Sequence, residues 1–239
     1  MPKEILLLTD EAMAGLLGAE LTRHAPMVAL SVLTSMADVE ERFSRGLEGA
    51  RLIAAGTDVI LSQEHLNALP GPAYNLHPGP PEYPGLFPSV FALYDGAAQF
   101  GTTVHEMALE VDSGPIIAVE RFDIPAEADR MMLDRLSLAS LMGLFSALAD
   151  RLALSDDPLS PVEESWGQRK WTRKDFAALC QLPEDVDEAE FQRRHRAVGE
   201  GPDHALEITL FGNRFALDNR RAKDPVYVAG LSAERDSSA

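Results

Sequence analysis

Residues 4–57 read EILLLTDEAMAGLLGAELTRHAPMVALSVLTSMADVEERFSRGLEGARLIAAGT. The apolar run ending at Thr9-Asp10 has the form of a buried strand followed by a helix N-cap. Residues 11–25 then place Leu16, Leu17, Ala19 and Leu21 on or near one side of a helix. Residues 27–34 read as a second strand, 38–50 as a polar helix and 52–55 as a third strand. Strands alternating with helices predict an α/β fold, a doubly wound and mostly parallel sheet. Ligands of such sheets bind beyond the carboxyl ends of the strands. No Gly-x-Gly-x-x-Gly follows the first strand, so a dinucleotide site has no support.

Downstream, residues 70–88 read PGPAYNLHPGPPEYPGLFP, with seven prolines and three glycines. Proline fixes φ and glycine relieves steric limits, so this stretch is a defined loop entered from a short strand near 73–76. Asn75 and His77 are two apart, hence on one face where that strand ends. An amide and an imidazole projecting together at a sheet rim can polarise a carbonyl and move a proton. Alone, the pair equally fits a loop-capping amide and a turn imidazole. Residues 88–95 read as helix, 101–107 and 116–122 as strands, and 129–154 as a long amphipathic helix. Asp112 falls between the two strands, and Ser113-Gly114 after it fits a turn, where aspartate is common for purely structural reasons.

The polar, proline-containing stretch 155–161 predicts a domain boundary. It separates a catalytic domain over residues 1–154 from a small α+β appendage over 162–223. Within the appendage, 172–182 and 187–198 read as helices and 205–218 as a hairpin turning at Gly212-Asn213. The tail 224–239 is poor in apolar residues and is expected to be disordered.

Charge narrows the function. The chain of 239 residues has net charge −17, and residues 1–163 alone carry 9 basic against 24 acidic side chains. A body this acidic repels phosphate backbones, so nucleic acid is not an expected partner. No apolar run approaches the roughly 20 residues that span a bilayer, and the N-terminus lacks signal-peptide form. One cysteine, Cys180, allows neither an intrachain disulfide nor a thiolate metal cluster, and it reads as a buried inert thiol. His24, His65, His195 and His204 show no ligand spacing, so no metal is expected. His105 beside Glu106 reads as structural, and Trp166 and Trp171 read as the ends of a packed strap. The expected location is cytoplasmic, and the composition is compatible with a homodimer.

Taken together, the two loop segments resemble the signature of the folate-dependent formyltransferase family. Asn75 and His77 match its Asn-x-His, and HPGPPEYPG at 77–85 matches its Pro/Gly loop ending in glycine. GTTVH at 101–105, followed by DSGPII at 112–117, matches its second motif, with Asp112 35 positions after His77. The resemblance spans about residues 50–153. It implies a formyltransferase-like α/β fold, 10-formyltetrahydrofolate as co-substrate, and Asn75, His77 and Asp112 as catalytic residues. It also implies folate contacts from Val59, Ile60 and Leu61 and from Glu110 and Val111. The loop carries Pro81-Glu82-Tyr83-Pro84 where the tRNA enzymes carry a basic version, so a small-molecule amine is the expected acceptor. Rival readings are a formyltetrahydrofolate hydrolase, a methionyl-tRNA formyltransferase-like enzyme and a non-catalytic folate-binding protein.

Overall fold

A computed structural model describes residues 1–199 and 206–217. The chain forms two compact units, Met1–Arg173 and a second beginning at Lys174.

The first unit runs β1 (Glu4–Thr9), α1 (Glu11–His24), β2 (Ala29–Leu33), α2 (Met36–Ser44), β3 (Ala50–Ala55), α3 (Gln63–Ala68) and β4 (Tyr74–His77). It continues with α4 (Pro88–Asp95), β5 (Gln99–Glu106), β6 (Ile116–Asp123) and α5 (Arg130–Leu154). The sheet order is β2-β1-β3-β4-β5-β6. Strands β1 to β4 pair in parallel, β5 is antiparallel to β4, and β6 is antiparallel to β5. The strand alternation of period two explains the layers. Ile5 and Leu7 pack with Leu17 and Leu21 of α1 and with Phe145, Leu148 and Leu152 of α5. Leu6 and Leu8 face the other way, with Val39 of α2 and Leu61. The sheet is therefore covered on both faces, as doubly wound α/β architecture requires. Each such side chain contributes about 1.5–3 kcal/mol by full burial. Asp10 caps α1 by accepting from the Met13 amide, and Asp129 caps α5 from the Met132 amide.

Helix α5 is long and apolar enough to cross a membrane by length and composition. Its Leu133, Leu141, Phe145, Leu148 and Leu152 are nevertheless buried, and its contacts run to α1, α4, β4, β5 and β6. The boundary expected at 155–161 is displaced, since the first unit continues to Arg173. The cause is Arg51 on β3, only 6% exposed. Its guanidinium donates to the carbonyls of Leu152 (2.8 Å) and Ser155 (2.6 Å), with a longer contact to Asp157 (3.3 Å). These are acceptors that the last turn of a helix leaves without partners, and the cation also offsets the helix dipole. Two residues on, the Leu159 amide donates to the Tyr74 hydroxyl at 2.9 Å. A polar, proline-bearing stretch that looks like a linker is thus clamped to the sheet.

The second unit holds a three-stranded sheet, β7-β8-β9, and a helix, α7 (Glu188–Val198). Helix α6 (Arg173–Cys180) leads into it. The helix expected over 172–182 stops at Cys180, and β7 (Gln181–Leu182) follows, parallel to β8 (Glu207–Leu210). The hairpin to β9 (Asn213–Ala216) turns on Phe211-Gly212, one residue earlier than expected. Both residues have positive φ, 51° and 77°, as a two-residue turn matched to strand twist demands. His204 and the tail 224–239 lie outside the described residues.

Candidate active site

At the carboxyl end of β4, Asn75 pairs across the ladder with His105 of β5, and His77 pairs with Thr103. Cross-strand partners share a face, so β4 brings forward Asn75 and His77 while β5 adds His105. The Asn75 side-chain amide lies 3.0 Å from His105 Nε2. His105 Nδ1 lies 2.8 Å from the Glu106 carbonyl, which can only accept, so Nδ1 carries a hydrogen.

Asp112 joins this group from the loop between β5 and β6. Its backbone is left-handed, with φ +48°, a conformation that aspartate tolerates better than most residues. The turn closes because residue 114 is glycine: a Cβ there would run into the Glu106 carbonyl. Asp112 Oδ2 accepts the Gly85 amide at 2.7 Å and lies 3.4 Å from His77 Nδ1. Oδ1 lies 3.3 Å from His105 Nε2. One carboxylate therefore stands between two imidazoles, and all three side chains are at least 96% buried.

Burial would raise the Asp112 carboxyl, but the bond from His105, the nearby His77 and the Gly85 amide outweigh it and hold the group below its ordinary range. For His77 the balance falls the other way. Burial pushes the imidazole down, against the pull of Asp112 and of the Tyr83 carbonyl, and His105 adds to the lowering. His105 Nε2 has two incompatible partners. Without a proton it accepts the Asn75 amide, and with one it donates to Asp112. The cluster is thus a set of proton seats fixed in a dry setting, the arrangement that acid–base catalysis needs.

A cover lies over His77. Its Nε2 donates to the Tyr83 carbonyl at 3.1 Å, within the proline-rich loop. A strap from 162 to 171 is laced onto that loop: Gly167 donates to Pro81, Trp171 to Pro84 and Leu86 to Trp171. Gly85, at φ +96°, permits this lacing, because a Cβ would collide with the Trp171 carbonyl. Arg121 binds both Glu82 of the loop and Glu164 of the strap. Trp166 packs edge-on to His105 at 4.9 Å and to His77 at 5.7 Å between ring centroids, while its indole N–H donates to the Gly114 carbonyl at 2.8 Å. Trp171 stacks on Phe91 at 3.8 Å.

Beside the cluster is a cavity. Asn75, His105 and Asp112 line it, whereas His77 does not and touches it only through Asp112. The loop carrying Val59, Ile60 and Leu61 and the loop carrying Met107 to Val111 line it as well. All five residues expected to contact a folate, Val59, Ile60, Leu61, Glu110 and Val111, line this cavity. Their burial differs: Leu61 belongs to the core, whereas Ile60 is 58% and Val111 43% exposed. An apolar slot flanked by backbone suits a flat heterocycle.

The structure brings Asn75, His77 and Asp112 together as the two motifs suggest. The structure adds His105, read from sequence as structural, to this group, beside Asn75 and Asp112. Its only sequence signal is the alternation in GTTVH, and its pairing with Asn75 depends on the antiparallel register of β4 and β5.

Comparison with known proteins agrees with this fold. The pattern of the family described as Formyl transferase matches residues 25–142. A methionyl-tRNA formyltransferase from Bifidobacterium adolescentis is 31% identical over 172 residues, covering 71% of this chain and 52% of that protein. The chain thus spans about half the length of the curated relative it matches. Among solved structures, a sugar N-formyltransferase from a Shewanella species superposes with TM-score 0.74 at 19% identity, over 90% of this chain and 96% of that one. An N-formyltransferase from Helicobacter canadensis, in complex with folinic acid and dTDP-3-aminofucose, gives TM-score 0.64 at 17% identity, over 89% and 85%.

Proposed function

Because the chain belongs to the formyl transferase family, we propose that it moves a formyl group from 10-formyltetrahydrofolate to an amine of a small-molecule acceptor. The observation that carries this reading is the Asp112 carboxylate set between His77 and His105, with Asn75, on the wall of a mostly apolar cavity. The cavity loops 57–61 and 107–111 fit a pterin, and the co-substrate supplies a formyl group already activated on nitrogen. In the Helicobacter relative the solved complex contains folinic acid, a formylated folate.

In the reaction the acceptor nitrogen bonds to the formyl carbon, the bond from that carbon to the donor nitrogen breaks, and one proton passes from acceptor to donor nitrogen. Asn75 has a second amide N–H beyond the one turned to His105, and it donates to the charge building on the formyl oxygen. The amine proton goes to the Asp112–imidazole cluster, with His105 Nε2 as the nitrogen on the cavity wall. His77 stands with its Nδ1 beside Asp112. It reaches the formyl oxygen itself only when its Nε2–H exchanges the Tyr83 carbonyl for substrate.

The test is a panel of amines supplied with 10-formyltetrahydrofolate, read by mass spectrometry for products that gain one CO. Products without added folate, or no product from any amine, refute the assignment. Folate binding has its own readout: 5-formyltetrahydrofolate at 100 times Kd should add about 2.7 kcal/mol of stability. Transfer to an aminoacyl-tRNA is the second reading, favoured by the 31% identity to a methionyl-tRNA formyltransferase. The 9 to 24 charge balance of residues 1–163 speaks against it. Tight, salt-sensitive tRNA retention in a filter assay would reverse the choice.

A further inference from the structure

In the acidic first unit, one short stretch reverses the charge: Arg169, Lys170 and Arg173 supply three cations in five residues. Two of them pair with the two loops that line the cavity, one cation to each loop. Lys170 Nζ is 3.8 Å from Glu110 of one loop. The Arg173 guanidinium is 3.4 Å from Asp58, which sits between the lining residues Thr57 and Val59 of the other loop. Arg169 differs, since its guanidinium lies 3.7 Å over the Trp171 ring.

These two pairs are long and wet. Lys170 is 37% and Arg173 70% exposed, and their partners are more exposed still. Exposed pairs of this kind contribute about 0–1 kcal/mol, so an incoming anion of better geometry displaces them readily. The backbone beneath the cations is nonetheless fixed, because the strap is bonded to Pro81 through Gly167 and to Pro84 through Trp171. Two cations, each paired with an acid on one of the two loops that line the cavity, form a receptor for negative charge that trails out of it.

Resting on the folate reading above, we propose that Lys170 and Arg173 form a carboxylate subsite for the glutamate tail of the donor. The ring system fills the cavity, and the tail leaves by its mouth. A tail of several glutamates brings more carboxylates to these cations than a single one does. The subsite therefore selects donor chain length and offsets the repulsion between an anionic tail and an acidic protein.

The experiment is calorimetric titration of wild type and of the K170Q/R173Q double variant. The ligands are 5-formyltetrahydrofolate, its triglutamate form and the tetrahydropteroate analogue without glutamate. Wild type should bind the triglutamate most tightly. The double variant should lose about 3–25-fold on the triglutamate, up to about fivefold per cation, and nothing on the analogue. That loss should shrink in 0.5 M salt, where the screening length falls to about 4–5 Å. Asp58→Asn, which releases Arg173, should tighten the triglutamate. Equal melting temperatures for wild type and double variant establish that the fold is kept. Identical affinities of both proteins for all three ligands overturn the subsite. So does an unchanged folate series accompanied by lost inorganic pyrophosphate binding, which would assign the cations to a phosphorylated acceptor. If wild type binds none of the three ligands, the donor assignment fails first, and the subsite fails with it.

Discussion

Replacing Asp112 separates chemistry from fold, because the two natural replacements fail in different ways. Asparagine keeps the shape, tolerates φ +48°, and can still accept the Gly85 amide through its oxygen. It removes the charge that faces His77 Nδ1 at 3.4 Å and His105 Nε2 at 3.3 Å. Without that charge an imidazole that takes up a proton in the reaction has no counter-ion, and His77 falls further still, since Asp112 opposes the lowering by burial. Loss of one such electrostatic element costs about 10²–10³ in rate, roughly 3–4 kcal/mol of barrier. Asp112→Asn should therefore lower kcat/KM by about that factor, with stability within about 1–2 kcal/mol of wild type. Alanine keeps neither feature. A left-handed alanine costs about 1–2 kcal/mol, and the half-buried Gly85 amide left unpartnered costs up to about 1–3 kcal/mol more. Asp112→Ala should therefore be destabilised by roughly 2–5 kcal/mol in urea unfolding, beyond its catalytic loss. Activity is followed as tetrahydrofolate release with the acceptor found by the amine screen. Asp112→Asn turning over within tenfold of wild type would show that the carboxylate has no charge role. Asp112→Ala as stable as Asp112→Asn would refute the claim that this residue also holds the loop.

Further outcomes follow from the same contacts. His77→Ala and Asp112→Ala should be strongly non-additive, with the double variant scarcely slower than His77→Ala alone. Additive losses measured in kcat/KM would break the partnership. Since burial lowers His77, the unfolded chain takes up a proton below about pH 6.5 that the folded protein refuses, so stability falls as pH falls below that value. Denaturant titrations of His77→Gln between pH 6.5 and 5 should lose up to about 1.4 kcal/mol per pH unit of that slope, and an unchanged slope would contradict a neutral buried imidazole. Arg51→Met leaves the Leu152 and Ser155 carbonyls without their donor and should cost about 2–4 kcal/mol, or roughly 4–16 °C in Tm. A change under 1 °C would mean that the segment after α5 is held by something other than this arginine.

Sequence alone determined the local features of this protein. Residues 5–8 had to be a buried strand, because four consecutive apolar residues before a helix cap serve both faces of a covered sheet. Loop 78–87 had to leave β4 as a rigid turn, because its prolines fix φ and remove amide donors. Asn75 and His77 had to emerge together, because the strand period is two. Tertiary structure decided whatever depends on contacts between distant positions. The register of β5 against β4 set His105 beside Asn75, and a one-residue slip would have turned it to the other face. Arg51 converted an apparent linker into part of the first unit, through bonds spanning about 100 residues. Trp166, more than 50 residues beyond Asp112 in the chain, packed its ring edge-on against His77 and His105. Period and propensity act between neighbours in sequence, whereas a buried charge is stabilised by whichever polar groups the packed sheet brings within hydrogen-bond reach.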